Sequence, residues 1–438
     1  MRPLKKLLYA PDKKITDQKM KESYDIIIVG SGPAGLGAAF NLAENSNKSI
    51  LLLEKAKMSS GGLRNDCKQN YTFPVGFSEN HWDESNAESM LKIVAAHLNP
   101  QYVQQRNLEV YVKRADNLGV KLLDIKQAHV GTDKAKELIR NLISQLKSYG
   151  VTVALETEMT DIDYADRTIS LNNSNKIRFK DLILAPGRSG YAWLQKIITK
   201  LNIKYLDNIV DVGVRLEAKE EYYQIVKDYY DPKFIFPTNV RTFCTNSGSA
   251  YTVKEKYENY YSVNGHAYSK DKKANGLVNF AMLRTITLTD PVVSGHQFAE
   301  ILGQMAMQLS GGQPMMQRIG DFRLGVRSKK ETFNDDLYSF KPTLSSATPG
   351  DLSLAIPEKI FRDIWRSMKL LDTIVPGILH PSTIIYYPEI KTYAIRPEFI
   401  DKHFCVKENV YMIGDGAGTS RGITGAWASG IRAANGIL

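Results

Sequence analysis

The chain has 438 residues, 43% hydrophobic and 24% charged, the composition of a soluble globular protein with room for two or three packed units. No stretch approaches the ~18 apolar residues of a membrane span, and the basic N-terminus lacks the apolar core and cleavage site of a secretory signal. The formal net charge is +10, but with no nucleic-acid motif and interspersed Lys and Glu it reads as a solvated basic surface or as attraction of an anionic ligand into a cleft, so no nucleic-acid partner is expected.

The elements begin after a basic tail, residues 1–22, with seven Lys/Arg against three Asp/Glu. Asp25-Ile26-Ile27-Ile28-Val29 is a β-branched run with the composition of a strand buried on both faces. Gly30-Ser31-Gly32-Pro33-Ala34-Gly35 follows at once, and residues 36–43 read as a helix. Gly30 permits a tight turn, Gly32 lets backbone N–H groups approach a pyrophosphate, and Gly35 lets helix and strand pack closely. The helix N-terminus then offers unpaired N–H groups to phosphate. Residues 49–53 form a second strand ending in Glu54, 19 positions after Gly35, where an acid accepts hydrogen bonds from an adenosine ribose. Lys55 beside it is counted with the same site. This order predicts a Rossmann-type dinucleotide half-site without deciding between FAD and NAD.

Ser59-Ser60-Gly61-Gly62-Leu63-Arg64 comes next. Its glycines allow close backbone approach and Arg64 can oppose phosphate charge, although an ordinary loop has the same composition. Residues 136–149 read as an amphipathic helix, 150–155 as a strand, and 180–185 as a strand closing on Pro186-Gly187. Strand-like stretches at 212–216 and 277–283 and helical ones at 297–307 and 357–371 then form a mixed region without internal repeat or second GxGxxG. That argues against NAD(P)H held tightly in a Rossmann domain of its own.

The chain closes on a strand, residues 409–413, running into Gly414-Asp415-Gly416-Ala417-Gly418 and Arg421-Gly422-Ile423-Thr424-Gly425-Ala426, with helix-friendly residues to 438. A strand ending in Gly-Asp before a helix start resembles the way FAD enzymes of the glutathione-reductase-like superfamily close their cofactor site. The resemblance implies that Asp415 binds the ribitol or pyrophosphate region between Gly414 and Gly416. It also implies that the N–H groups of Gly422, Ile423 and Thr424 face the flavin pyrimidine edge, and that backbone near Met159 contacts adenine. Ala185 and Gly187 then form the turn these proteins read as Ala-Thr-Gly, here with Pro186 in place of Thr. A helix N-terminus suits the pyrimidine edge because reduced flavin gathers negative charge at N1 and O2. An NAD-only dehydrogenase has no need of this second lobe, so FAD is the expected cofactor.

From about residue 24 to the C-terminus the chain is similar to the FAD-dependent dehydrogenases of unassigned substrate in that two-dinucleotide-binding superfamily. The resemblance is carried by Gly131-Thr132-Asp133, Gly187-Arg188-Ser189-Gly190, the run from Asp211 to Glu217, Arg241-Thr242-Phe243-Cys244 and Val278-Asn279-Phe280-Ala281. The run from Gln317 to Phe322, Tyr387-Pro388-Glu389-Ile390-Lys391 and the closing motif complete it. Thr245-Asn246-Ser247-Gly248 stands where the family has Cys-Pro-Gly-Gly. An α/β fold is implied, with a Rossmann-type FAD-binding domain in two parts, residues 23–206 and 397–438, around an inserted mixed α+β substrate domain, 207–396. The implied activity is hydride transfer between flavin N5 and a small molecule, with an external electron donor or acceptor such as NAD(P)H. An aromatic monooxygenase ranks lower, because Gly416-Ala417-Gly418 replaces the Ala-Ala-His-type sequence usual there. A non-catalytic, redox-sensing flavin module stays open, since no acid–base pair announces itself.

Lys68, Arg241, Cys244, Glu389 and Lys391 are the expected residues at the interface over the flavin, where cations favour an anionic or carbonyl-bearing ligand. Plainer readings stand beside these: Cys67 and Cys244 as packing residues, Lys68 and Arg241 as surface or ion-pair residues. Cys67, Cys244 and Cys405 are too scattered for a disulfide framework, a dithiol or a zinc pattern, so a reducing, cytoplasmic compartment is expected. The seven histidines show no metal-ligand spacing, and no metal is expected.

Overall fold

The computed structural model describes residues 20–438 except 60, 66, 79, 208, 269–273, 289–293, 334–339 and 393–394, so nearly all of the expected basic tail lies outside the described residues. Two eight-stranded sheets organise the described chain. In the first, Ser23–Val29 pairs in parallel with Ile50–Leu53 on one side and Lys176–Leu184 on the other. Thr152–Ala154 and Val410–Met412 extend it as further parallel strands. Strands covered on both faces must be apolar throughout, and Ile26, Ile27, Ile28, Leu51, Leu52 and Leu53 are fully buried. Helices Pro33–Asn45, Ala135–Ser148 and Gly422–Ile437 cover one face, and Tyr191–Lys200 the other.

Parallel pairing puts the C-terminal ends of these strands at one edge. Val29 is in register with Leu53 and Leu184, and Leu184 with Met412. The chain therefore leaves the same edge into Gly30, Glu54, Ala185 and Ile413-Gly414, the side on which open α/β sheets bind ligands.

The second sheet is largely antiparallel, with Ile209–Lys219 between Leu277–Thr287 and Ile384–Thr392. Along Ile209–Lys219 alternate side chains point to opposite faces. Val210, Val212, Val214, Leu216 and Ala218 pack with helices Gly295–Leu309 and Glu358–Ile374 in one apolar core. Asp211, Arg215 and Glu217 lie on the other face, yet are fully buried. A hairpin of Ala250–Lys256 and Tyr261–Ala267 covers part of that polar face. Ser262 Oγ accepts from the Ile390 amide at 3.0 Å, and Thr252 Oγ1 donates to Glu217 at 2.9 Å.

One strand of this sheet departs from the expected division of the chain. Lys121–Leu123, inside the stretch 23–206, pairs with Lys233–Ile235 at the sheet's edge. The physical reason is local: Val120, Leu122 and Ile125 bury their side chains in the second core, and pairing satisfies an otherwise open strand edge.

Candidate functional site

The ligand edge of the first sheet is lined by glycines whose reasons differ. Gly30, at φ 103°, has no room for a side chain because a Cβ would strike the Ala185 carbonyl, and a Cβ on Gly35 would strike the Gly30 carbonyl. Gly32 has ordinary extended backbone, φ −67° and ψ 179°, and a Cβ there would meet nothing within 4 Å. It caps the Pro33–Asn45 helix, which has no side-chain cap, so the helix N–H groups open onto free space. Gly422 is likewise open at the start of the Gly422–Ile437 helix, where the Arg421 side chain does not cap the helix. The two helices are locked at near backbone contact, since a Cβ on Gly37 would strike Trp427 and one on Gly430 would strike Ala34. The residues present fit an extended dinucleotide: two helix starts without side-chain caps, each beside a glycine on which a Cβ would meet nothing within 4 Å.

Around this edge the expected cofactor residues take several roles. Glu54 is buried, its Oε2 accepting from the Ser31 amide (3.0 Å) and hydroxyl (2.7 Å) and its Oε1 from the Ala56 amide (3.0 Å). A carboxylate has about four acceptor positions, so one on Oε1 is left for a ribose hydroxyl. Ser31 is thus tied to Glu54 rather than aimed at phosphate. Lys55 and Arg64 are exposed, whereas Leu63 is buried in the core. The Met159 side chain is buried in the core on the opposite face of the sheet, and its carbonyl accepts from the Trp193 indole at 2.7 Å. The amide bonded to the Glu54 carbonyl belongs to Thr157, at 2.9 Å, so the strand passes the acid two residues before Met159. Ala185 donates to the Val29 carbonyl at 2.8 Å, and Gly187 sits against Gly416, which has no room for a Cβ. Gly414 donates to Thr419 Oγ1 (2.9 Å) and Ser429 Oγ (3.1 Å). Asp415 pairs with Arg188 at 2.9 Å. Ile423 is buried, and Thr424 Oγ1 donates to the Asn70 carbonyl at 2.5 Å, which binds the last helix to strand Lys68–Asn70.

That strand leads across to the polar face of the second sheet. Lys68 Nζ donates to the Thr245 carbonyl and to Asn246 Oδ1 (3.3 Å), and lies 3.7 Å from Asp231 and 3.8 Å from Cys244 Sγ. Cys244 sits at φ 50° where the pairing of Val240–Asn246 slips register, a left-handed conformation that a β-bulge imposes. Its carbonyl accepts from Arg215 Nη1 at 3.2 Å. Arg215 also grips Glu389 with two bonds, Nε–Oε2 at 2.7 Å and Nη2–Oε1 at 2.8 Å, both side chains having no exposure. Lys391 stands 3.5 Å from Glu389 and 3.1 Å from Glu255. Burial by itself would lower the pKa of Lys391, but Glu255 and Glu389 outweigh it and raise it. Burial likewise opposes charge on Glu255, yet Lys391 and Arg188 hold it down at about 2.

The structure thus joins Lys68, Cys244, Glu389 and Lys391 in one network. Arg241 is on the same sheet but is committed to Asp211 at 2.5 Å and lies over the Phe243 ring. Cys67, at φ 52°, is buried in the core, and Gln69 Nε2 lies 3.4 Å from its sulfur. Sequence reading assigned no role to Arg188, Arg215, Glu255, Asn246 or Asp231. A signal was available for one of them: Asp211, Arg215 and Glu217 fall at alternate positions of a run otherwise too apolar for a surface strand. Among the described residues no group of three or more His, Cys, Asp or Glu could hold a metal, and no helix is long and apolar enough to cross a membrane.

Residues 24–212 match the model of the pyridine nucleotide-disulphide oxidoreductase family. An uncharacterized protein of Clostridium beijerinckii is 23% identical over 446 residues, covering 94% of this chain and 80% of that one. Among solved structures, an L-amino acid deaminase from Proteus myxofaciens aligns over 99% of this chain and 93% of its own at 12% identity and a TM-score of 0.43. An L-proline dehydrogenase from P. horikoshii aligns over 96% and 94%, at 12% identity and 0.42. Likeness at that level carries nothing about activity. The glycine-lined edge, the second lobe and the matched model define the class: the protein is an FAD-dependent oxidoreductase of mixed α/β fold. Its substrate is unidentified, and as an oxidoreductase it exchanges electrons with that substrate and with an external donor or acceptor.

Proposed function

We propose that a small anionic or carbonyl-bearing molecule binds between the start of the Gly422–Ile437 helix and the polar face of the second sheet, and that hydride passes between it and flavin N5. FAD, when bound, supplies the hydride chemistry; the protein supplies orientation and electrostatics. The observation that carries the reading is the network from Lys68 through Cys244 and the buried Arg215, Glu389 and Lys391 to the part-exposed Glu255, which joins the flavin domain's strand Lys68–Asn70 to the second sheet. Such a set of paired charges is costly to bury and presents fixed dipoles where water is excluded. In this reading Lys68 and Lys391 attract the anion, and the Arg215–Glu389 pair holds the Lys391 ammonium in place. Asp415 and Arg188, paired at 2.9 Å, orient the cofactor's ribitol side. We further propose NAD(P)H as the external partner, residues 207–396 as the substrate-covering unit, and a reducing cytoplasmic setting, which three free cysteines suit.

The test is anaerobic titration of the flavin-loaded protein with a panel of small carboxylates, neutral carbonyl compounds and NAD(P)H, read by bleaching or recovery of flavin absorbance. An anionic compound that changes the flavin in wild type should do so with at least tenfold lower kcat/KM in Lys391→Met, with flavin retained. If only neutral compounds react, or Lys391→Met leaves kcat/KM unchanged, this assignment of the site is wrong.

A further inference from the structure

We propose that the face of the second unit remote from its polar side docks on an anionic membrane surface, through an apolar turn set among exposed cations. The turn follows the short Ile319–Arg323 helix. Leu324 is 77% exposed and Val326 49%, with Gly325 between them at φ 70°. A neighbouring segment runs beside it: the Gln317 side chain donates to the Val326 carbonyl at 2.9 Å and accepts from the Leu352 amide at 3.0 Å, and Ser328 N donates to the Gly350 carbonyl at 3.1 Å. That segment carries Leu354, 69% exposed. Single exposed leucines are ordinary, but three large apolar side chains on adjoining segments make a patch.

The charge around this patch is predominantly positive. Arg323, Arg327, Lys329 and Lys330 are all exposed beside it. The Glu358–Ile374 helix turns Ile360, Ile364, Met368 and Leu371 inward and exposes Arg366 and Lys369. Arg323, Lys369 and Trp365 line one groove of about 470 Å³, so the turn and the helix form a continuous surface. Two nearby carboxylates are engaged by hydrogen bonds, although Asp372 also lines that groove. Asp321 accepts from Ser328 Oγ at 2.6 Å, and Asp372 from the amides of Gly377 and Leu379 at 3.0 Å each. Among the described residues Glu331 and Glu358 are exposed, and Glu358 pairs with Arg362 at 3.1 Å.

The chemistry of the two halves selects the occupant. A nucleic acid would use the cations and leave the leucines wet, and an apolar protein groove would cover the leucines and strand the cations. A bilayer of anionic lipid takes both, with apolar side chains at the acyl boundary, cations among headgroups and an indole at the interface. This surface also gives a role to part of the net positive charge carried outside the basic tail.

Sedimentation of the full flavin-loaded chain with vesicles tests it, using phosphatidylcholine alone and equimolar phosphatidylcholine and phosphatidylglycerol at low salt. Wild type should associate with the mixed vesicles only, about fivefold more weakly for each of Arg323→Gln and Arg366→Gln. Leu324→Asp should abolish association while flavin absorbance is unchanged, since this side chain is 77% exposed. Three results would overturn the proposal. Wild type could remain in solution with mixed vesicles. Leu324→Asp could bind as tightly as wild type, which assigns attachment to charge alone or to the basic tail. Duplex DNA could displace the vesicles and bind regardless of Leu324→Asp, which assigns the surface to nucleic acid.

Discussion

At the scale of single residues, the first glycine motif contains two kinds of constraint. Gly30 and Gly35 are required by the protein's own backbone, whereas Gly32 faces empty space with an unstrained φ. Gly32→Val should therefore leave the thermal midpoint of FAD-free protein nearly unchanged while abolishing FAD retention; Gly35→Ala should unfold the domain. Thermal unfolding with and without FAD separates the two. The Arg215–Glu389 pair allows a second forecast. Arg215→Met or Glu389→Met alone leaves a buried charge and should cost about 3–5 kcal/mol in urea unfolding. The double variant should cost clearly less than the sum, because neither charge is then orphaned. Asp231 gives the pH dependence. Burial raises its pKa, but Lys233 and Lys68 prevail and hold it at about 2, below the ordinary carboxylate value of ~3.9. A depressed carboxylate stabilises the fold above its unfolded pKa and loses that contribution as pH falls through its folded one. Asp231→Asn should thus be less stable than wild type at neutral pH, and the difference should shrink between pH ~4 and ~2.

At the scale of elements, the contact between the first and last helices sets where their N-termini stand. Gly430 lets the Gly422–Ile437 helix lie against the Ala34 backbone, and Gly37 lets the Pro33–Asn45 helix meet Trp427. Gly430→Ala forces the helices apart and should cost about 1–3 kcal/mol. If the amides at 422–424 face the flavin as proposed, it should also weaken FAD binding, because they move with the helix; unchanged FAD affinity beside a lowered midpoint would show that the two are independent. The strands were partly legible before the structure. The apolar runs at 25–29, 49–53 and 409–413 mark strands because burial on both faces demands them, and the observed strands are Ser23–Val29, Ile50–Leu53 and Val410–Met412. The stretch 121–123 was not legible as part of the second sheet, because three residues carry too little periodicity to show a pairing set by a partner more than a hundred positions away.

At the scale of the whole molecule, the two sheets are tied by the edge strand Lys121–Leu123 and by Lys68 reaching Thr245 and Asn246. A single cooperative unfolding transition is expected, shifted upward by FAD by about 2.7 kcal/mol at a hundredfold excess over Kd. Scanning calorimetry over a range of FAD concentrations checks this. Two endotherms, with one insensitive to FAD, would mean that the units unfold separately.

What the sequence determined by itself is local and mechanical. A strand, a glycine turn and a helix start within a dozen residues specify a phosphate-binding edge, because chain geometry leaves few other uses for Gly30-Ser31-Gly32-Pro33-Ala34-Gly35. The partners of the charged residues were decided only by tertiary structure. Arg215 and Glu255 are far along the chain from Glu389 and Lys391, which share one strand face, and nothing in their spacing says that strand register and an overlying hairpin bring them together. Ion pairing in a buried face depends on which strands are neighbours and which way each side chain points. A shift of one residue in register would send every one of these charges to the apolar side.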